Sequence, residues 1–224
     1  MEPKQEQVLQ YLAGYISAHK IDLIDKALEK RTRHLTVVLE DIYQPQNASA
    51  VIRTADCFGI QDVHIIEHKH KFKLNPRVVH GSSKWVDVHQ YEEEGLNAEK
   101  CISALKSQGY KIVATVPDQL AKPFHSIDLS QKCALVFGTE MTGISDYMRE
   151  NADDLVTIPM YGFTESFNIS VSVAIILNTL AEKLFSSNYD WRLNEEEKKT
   201  LRLSWYRKIV NRSELLEKEY LKTL

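Results

Sequence analysis

Three short segments of this chain carry polar residues and glycines where a plain scaffold would place apolar ones. The first is Gln44-Pro45-Gln46-Asn47-Ala48-Ser49-Ala50-Val51-Ile52-Arg53-Thr54-Ala55. Asn47 sits where a helix N-cap belongs, just beyond the end of a strand, which is where open α/β sheets place their ligands. Arg53 interrupts an apolar helix and offers a planar fork of donors suited to phosphate or carboxylate. The second is Val136-Phe137-Gly138-Thr139-Glu140-Met141-Thr142-Gly143-Ile144-Ser145, where a carboxylate stands between two glycines that let a ligand approach the main chain closely. The third runs from Ile158-Pro159-Met160 through Ser166-Phe167-Asn168 into a nearly all-apolar helix. Each segment also has an ordinary explanation. Asn47, Ser166 or Asn168 can simply cap a helix, Arg53 can pair with Asp56 one turn on, and the glycines can make a strand-to-helix turn.

Other chemistries find no support. The second segment lacks the lysine of a phosphate loop and the spacing of a dinucleotide fingerprint. No Gly-x-Ser-x-Gly elbow and no His-Glu-x-x-His helix occurs. The pair His68 and His70 is too local to make a metal site without carboxylate or cysteine neighbours, so no metal is expected.

The elements that must position these segments alternate in type. Amphipathic helices are expected over residues 8–30, where Val8, Leu9, Leu12, Ile16, Leu23, Ile24, Ala27 and Leu28 recur at helical spacing. Strands follow at Leu35–Leu39, Val63–Ile66, Trp85–Val88, Lys111–Val116, Ala134–Phe137 and Leu155–Ile158. Between and after them come helices at about Ala48–Phe58, Leu96–Lys106 and Asn168–Phe185. Such an order implies an α/β fold with a mostly parallel sheet flanked by helices on both faces. The tail, Asn194–Leu224, is polar with Leu201, Leu203, Trp205, Ile209, Leu215 and Leu216 at helical spacing, and reads as a helical appendage. Three regions are expected: a helical extension over 1–34, the sheet domain over 35–185 and a helical extension over 186–224.

Composition sets the broad class. With 224 residues, 43% hydrophobic and 26% charged, the chain is ordinary for a globular protein. No apolar run is long enough for a membrane span, and the first residues lack a signal peptide's pattern. Cys57, Cys101 and Cys133 are scattered, which favours a reducing cytoplasm. The net charge of −3 does not favour nucleic acid, but two basic clusters stand out: Lys26, Lys30, Arg31, Arg33 and His34, and then His68 to Lys73 with Arg77.

Taken in this order, the motifs Asn-x5-Arg-Thr-Ala, Phe-Gly-Thr-Glu-x-Thr-Gly and Ile-Pro-Met-x-Gly-x4-Ser-Phe-Asn-Ile-Ser-Val resemble those of the SPOUT methyltransferases, from about Leu35 to Phe185. Within that group the chain is most similar to the TrmH type, which methylates the ribose of the D-loop guanosine at position 18 of tRNA. The resemblance implies a deep trefoil knot in the C-terminal half, a homodimer, and S-adenosylmethionine as methyl donor. It further implies that Arg53, Asn47, Glu140, Ser166 and Asn168 form the catalytic set. Thr115, Gly138, Ile158 and Phe167 then hold the donor, and Lys26, Lys30, Arg31 and Arg33 dock tRNA. A guanidinium stays protonated far above neutral pH and is a poor base. Arg53 is therefore expected to grip an RNA phosphate and fix the hydroxyl, with the proton passing to that phosphate or to water.

Three departures bear on substrate choice. Gln46 stands where relatives often carry histidine, Glu182-Lys183 replaces an arginine-rich segment, and Phe167 replaces a common leucine. The alternatives are the same chemistry on ribosomal RNA, for which the N-terminal segment is short, and a non-catalytic RNA-binding protein. A small-molecule methyltransferase fits the basic clusters less well.

Overall fold

A computed structural model describes residues 3–224 except positions 80, 94, 119 and 140. In chain order the elements are α1 (Pro3–Ala13), α2 (Ala18–Leu28), β1 (Leu35–Glu40), α3 (Pro45–Cys57), β2 (Asp62–Ile66), α4 (Pro76–Val79), β3 (Asp87–Tyr91), α5 (Asn97–Ser107) and β4 (Lys111–Thr115). They continue with β5 (Lys122–Pro123), β6 (Cys133–Phe137), α6 (Asp146–Asn151), β7 (Asp154–Thr157), α7 (Ile169–Phe185), α8 (Glu195–Ile209) and α9 (Ser213–Leu221). The chain divides into a central unit, Arg33–Trp191, and a second unit in which residues up to Thr32 fold with Arg192–Leu224.

The central unit is a parallel sheet of seven strands in the order β3-β2-β1-β6-β4-β7-β5. Side chains alternate across it, as the two-residue period of a strand requires. Leu35, Val37, Leu39, Leu135 and Phe137 face one way and pack with Val51, Ile52 and Ala55 of α3 and Val173, Ile176, Leu177 and Leu180 of α7. Val38, Ile66, Ala114, Ala134 and Val136 face the other way and meet Cys101, Ile102 and Leu105 of α5 and Met148 of α6. Covered on both faces, β1 and β6 are buried along their whole length, which is why both are rich in apolar residues, with Thr36 and Glu40 the exceptions in β1.

Several boundaries differ from the sequence reading. Helix α3 begins at Pro45, with Gln44 as its cap, because proline is well suited to the first helical position. Asn47 therefore lies inside the first turn and is not the N-cap. Strand β3 starts two residues later than expected, since a 3-10 turn over Ser82–Lys84 delays pairing until the Asp87 N–H donates to Gln61 O at 2.8 Å. The two-residue β5 had no pattern to announce it. No helix among the described residues is long and apolar enough to cross a membrane.

The helical unit is built from α1, α2, α8 and α9. A capping box starts α8, with the Asn194 side chain accepting from Glu197 N and the Glu197 side chain accepting from Asn194 N. Trp205 is almost wholly buried beneath the Arg31 guanidinium, 5.2 Å from its ring centre, and Tyr11 stacks on Tyr220 at 4.2 Å.

Candidate active site

Strands β6, β4 and β7 are neighbours and parallel, so their C-terminal ends open side by side. A cavity of about 350 Å³ lies there, a size that suits a small-molecule or cofactor site. Thr115 and Pro117 bound it after β4, Gly138, Thr139, Met141, Thr142, Gly143 and Ile144 after β6, and Ile158 and Met160 after β7. Ser166, Phe167 and Ile169 close it from the chain entering α7. Thr115, Gly138, Ile158 and Phe167, the four expected donor-binding positions, thus all line one hollow. A second hollow of about 540 Å³ adjoins it across the shared wall of Thr157, Ile158, Met160 and Glu165.

The loop after β6 is the tightest part of the wall. Thr139 and Gly143 exchange two backbone hydrogen bonds of 3.0 Å, and the Thr139 hydroxyl accepts from Thr142 N at 3.0 Å. A Cβ on Gly138 would lie 2.1 Å from the carbonyl carbon of Gly143 and 2.3 Å from Ile144 N. Only glycine allows main chain to approach main chain this closely. Gly143 adopts φ 69°, the left-handed region that glycine enters without strain. Glu140, expected in the catalytic set, lies outside the described residues.

Past this loop, Ser145 caps α6 by accepting from Met148 N at 3.1 Å. It also donates its hydroxyl at 2.6 Å and its N–H at 2.9 Å to the buried Glu40 carboxylate at the end of β1. The next residue, Asp41, has φ 55° and accepts from three successive N–H groups, His68, Lys69 and His70, at 3.0, 2.8 and 2.8 Å. Burial would raise the Asp41 carboxyl, but those three backbone donors outweigh it and hold the group below the usual carboxylate range. Sequence reasoning passed over Glu40 and Asp41. The signal available was an Asp-Ile-Tyr break straight after an apolar strand, which is weak alone.

Asn168 caps α7, its side-chain oxygen accepting from Ser170 N at 2.9 Å, and its amide donates at 3.2 Å to the buried Asn47 carbonyl oxygen. Two residues 121 positions apart are so brought together, and this bond fixes the start of α7 to the start of α3. Arg53 stands exposed on α3 and does not line the cavity within one chain. It has no ion pair or hydrogen-bond partner among the described residues, so the pairing with Asp56 that would have explained it is not made.

The expected tRNA-docking cluster is divided. Lys26 and Lys30 are exposed, with Lys26 paired to Asp22 at 2.7 Å. Arg31 is buried over Trp205, and Arg33 binds Asp62 at 2.8 Å and Asp87 at 2.9 Å. These two guanidiniums are engaged by the protein's own side chains, whereas Lys26 and Lys30 extend into solvent. Arg149, on the cavity rim, is a cation that the sequence reading did not single out.

Residues 34–178 match the model of the SpoU rRNA Methylase family. The chain belongs to this family. Among similar proteins, a tRNA (guanosine(18)-2′-O)-methyltransferase of Borreliella burgdorferi is 47% identical over 206 residues, spanning 92% of this chain and 93% of its own. One of the same name from Thermus thermophilus is 31% identical over 83% of this chain and 94% of its own. In structure, a TrmH/SpoU tRNA modifying enzyme of A. aeolicus superposes with a TM-score of 0.77 at 29% identity, covering 87% of this chain and 98% of that one. As a SpoU family member the chain is an RNA methylase, and such a reaction needs a methyl donor. The cavity fits S-adenosylmethionine in kind: Phe137, Ile144, Ile158 and Ile169 offer apolar wall to a nucleoside, and Arg149 a cation to an amino-acid carboxylate.

Proposed function

We propose that this protein methylates the ribose 2′-hydroxyl of the D-loop guanosine at position 18 of tRNA, with S-adenosylmethionine as donor. One observation carries the reading: the ends of three adjacent strands form a cavity lined by Thr115, Gly138, Ile158, Ser166 and Phe167, while an exposed, unpaired arginine stands on α3. The relatives' activity on guanosine 18, together with their near-complete overlap with this chain, supports tRNA as substrate. The bound donor supplies an electrophilic methyl carbon whose sulfur departs with the bonding pair as a neutral thioether.

What the chain's own residues must do is align a hydroxyl and dispose of its proton. Arg53, free of any internal carboxylate, grips the phosphate next to the target ribose and fixes the hydroxyl; the proton leaves to that phosphate or to water. Asn47 and Asn168, bonded to one another, hold the start of α7 where Ser166 reaches the cavity. Glu140 serves with them as a positioning residue. Thr115, Gly138, Ile158 and Phe167 hold the donor, and Lys26 and Lys30 assist in docking tRNA.

The same reading includes a C-terminal trefoil knot, a homodimer and a cytoplasmic location. The dimer draws support from large apolar side chains left uncovered near the cavity: Phe163 and Tyr161 are fully exposed, Phe167 is 42% and Val171 43% exposed. A partner's surface over them would also give Arg53 a second wall to work against. Scattered free cysteines, two of the three buried, agree with a reducing compartment. The SpoU rRNA Methylase family takes its name from rRNA, so ribosomal RNA is the second reading. Incubation of unmodified tRNA and of rRNA with labelled donor, followed by mapping of the 2′-O-methyl group, decides between them. Label at guanosine 18 of tRNA is the expected result, label only in rRNA overturns the substrate, and label on a base overturns the reaction. Arg53→Ala should lose at least a hundredfold in turnover yet keep donor binding.

A further inference from the structure

The second basic cluster, His68 to Arg77, lies outside every role assigned so far. Its lysines sit at alternate positions, and Lys69, Lys71, Lys73 and Arg77 are all exposed while His70 and Phe72 turn inward. None of the four has a carboxylate partner among the described residues. Elsewhere Lys100, Lys106, Lys111, Lys122, Lys198 and Lys199 each rest on one.

Acid is nevertheless present beneath the segment, and it is directed at the backbone. Asp41 accepts from the N–H groups of residues 68, 69 and 70, and Glu67 accepts from Phe72 N at 2.9 Å. The Ser49 hydroxyl then accepts from Asn75 N at 2.8 Å. Phe72 packs against the core, and the His70 ring meets Tyr43 edge-on at 4.9 Å. A run of like charges left to itself repels and stays loose. Here carboxylates fix the main chain and leave the ammonium groups unneutralised, so their charge is displayed outward. The segment leaves the C-terminal end of β2, returns to α3 at Ser49 and is followed by α4, which packs on α3. Ser49 and Arg53 are one helical turn apart on α3, so the segment is anchored one turn from Arg53.

We infer that residues 68–77 form a phosphate-backbone contact for the RNA substrate, held in place by Asp41 and Glu67, so that the strand they grip is delivered to Arg53. The inference rests on the methylase reading. A polyanion with regularly repeated charge matches several fixed cations, and position beside the candidate active site favours RNA over an acidic protein or an anionic membrane.

The test measures binding of an unmodified tRNA transcript to the full chain between 0.05 and 0.4 M salt. Each phosphate contact contributes about 0.7 to 0.9 to the slope of log K against log salt. The Lys69→Gln, Lys71→Gln, Lys73→Gln triple variant should therefore lose about 2 to 3 from the slope and bind roughly a hundredfold more weakly at 0.1 M, converging on the parent as salt rises. Its affinity for S-adenosylmethionine and its Tm should not change. Asp41→Ala keeps every cation but releases the segment, and should weaken binding several-fold with most of the slope retained. Wild-type affinity and slope in the triple variant overturn the inference, as does loss of binding to phosphatidylserine vesicles alone with tRNA binding intact. A parent protein with no measurable affinity for tRNA overturns the choice of tRNA as substrate, a result distinguishable from failure of the triple variant.

Discussion

Adding one methyl group at Gly138 is the sharpest test of the donor site. The new Cβ would sit 2.1 Å from Gly143 C and 2.2 Å from its oxygen, where ordinary contact needs at least 3.4 Å. Both obstacles are backbone, so no side chain can rotate away, and the 138–144 loop must retreat by more than an ångström. Overpacking of this kind costs about 1–3 kcal/mol. In a chain of this size each kcal/mol lowers Tm by roughly 2–4 °C, so Gly138→Ala should melt about 2–12 °C lower than the parent. The retreat carries Thr139, Thr142 and Ile144, all on the cavity wall, out of place. The proposed donor site is built on this loop, so donor affinity should fall at least tenfold by titration calorimetry. An unchanged Tm would show that the two strands of the loop are not so close. A lowered Tm with unchanged donor affinity would place the donor somewhere other than this cavity.

Three further perturbations separate roles that one residue can combine. Asn168→Ser keeps a good helix cap but removes the amide that reaches Asn47; Tm should hold while turnover drops more than tenfold, and full turnover would reduce Asn168 to a cap. Arg53→Lys retains charge without the fork, and should recover less than a tenth of the activity with tRNA affinity close to the parent; full recovery would argue that charge alone suffices. His64 lies buried against His89, and burial first, then the charge of that ring, brings it from 6.5 down to about 4, opposed by Asp62. The unfolded chain takes up this proton near pH 6.5 while the folded one resists until about 4. Stability from His64 is thus complete above that window and is lost as pH falls through it, by about 3 kcal/mol at most. His89, raised by its hydrogen bond to Asp62, acts in the opposite sense and loses its contribution as pH rises. His64→Phe should flatten the decline in urea midpoint between pH 7 and 4.5, and an unaltered decline would refute the assignment.

Much of the fold was legible because its signals are redundant. Strand β6 is apolar throughout and β1 is apolar but for Thr36 and Glu40, because both faces are covered, and turn residues punctuate the chain between them. The helix starts were less legible. Asn47 looks like a cap by residue type, but Pro45 begins the helix two residues earlier and leaves the amide free to meet Asn168. That partnership joins two helices 121 positions apart in sequence and has no local signature. Arg31 and Arg33 illustrate a different failure. Both belong to a basic run in sequence, yet Trp205 covers one and Asp62 with Asp87 neutralise the other, and only tertiary structure reveals such partners. The cavity itself was legible only by its segments, since the neighbourhood of β4, β6 and β7 follows from a strand order that departs from chain order.

The dipeptide Glu40-Asp41 explains how loops on two sides of the site keep their places. It stands at the end of β1, the middle of the sheet, and its carboxylates diverge. Glu40 accepts from Ser145, at the far end of the loop that walls the cavity, and from the His68 ring at 3.2 Å. Asp41 accepts from the backbone of the basic segment that begins with the same histidine. At Asp41 the chain leaves the strand through a left-handed turn, and its carboxylate meets the N–H groups of residues 68–70. An aspartate tolerates that conformation better than most residues. The donor-side loop and the cation-bearing segment are therefore referred to one rigid point, and displacement of either is resisted by buried, charge-assisted hydrogen bonds. Alignment within a fraction of an ångström is what transfer between two bound reactants demands, and two adjacent carboxylates on a central strand supply a common frame for both.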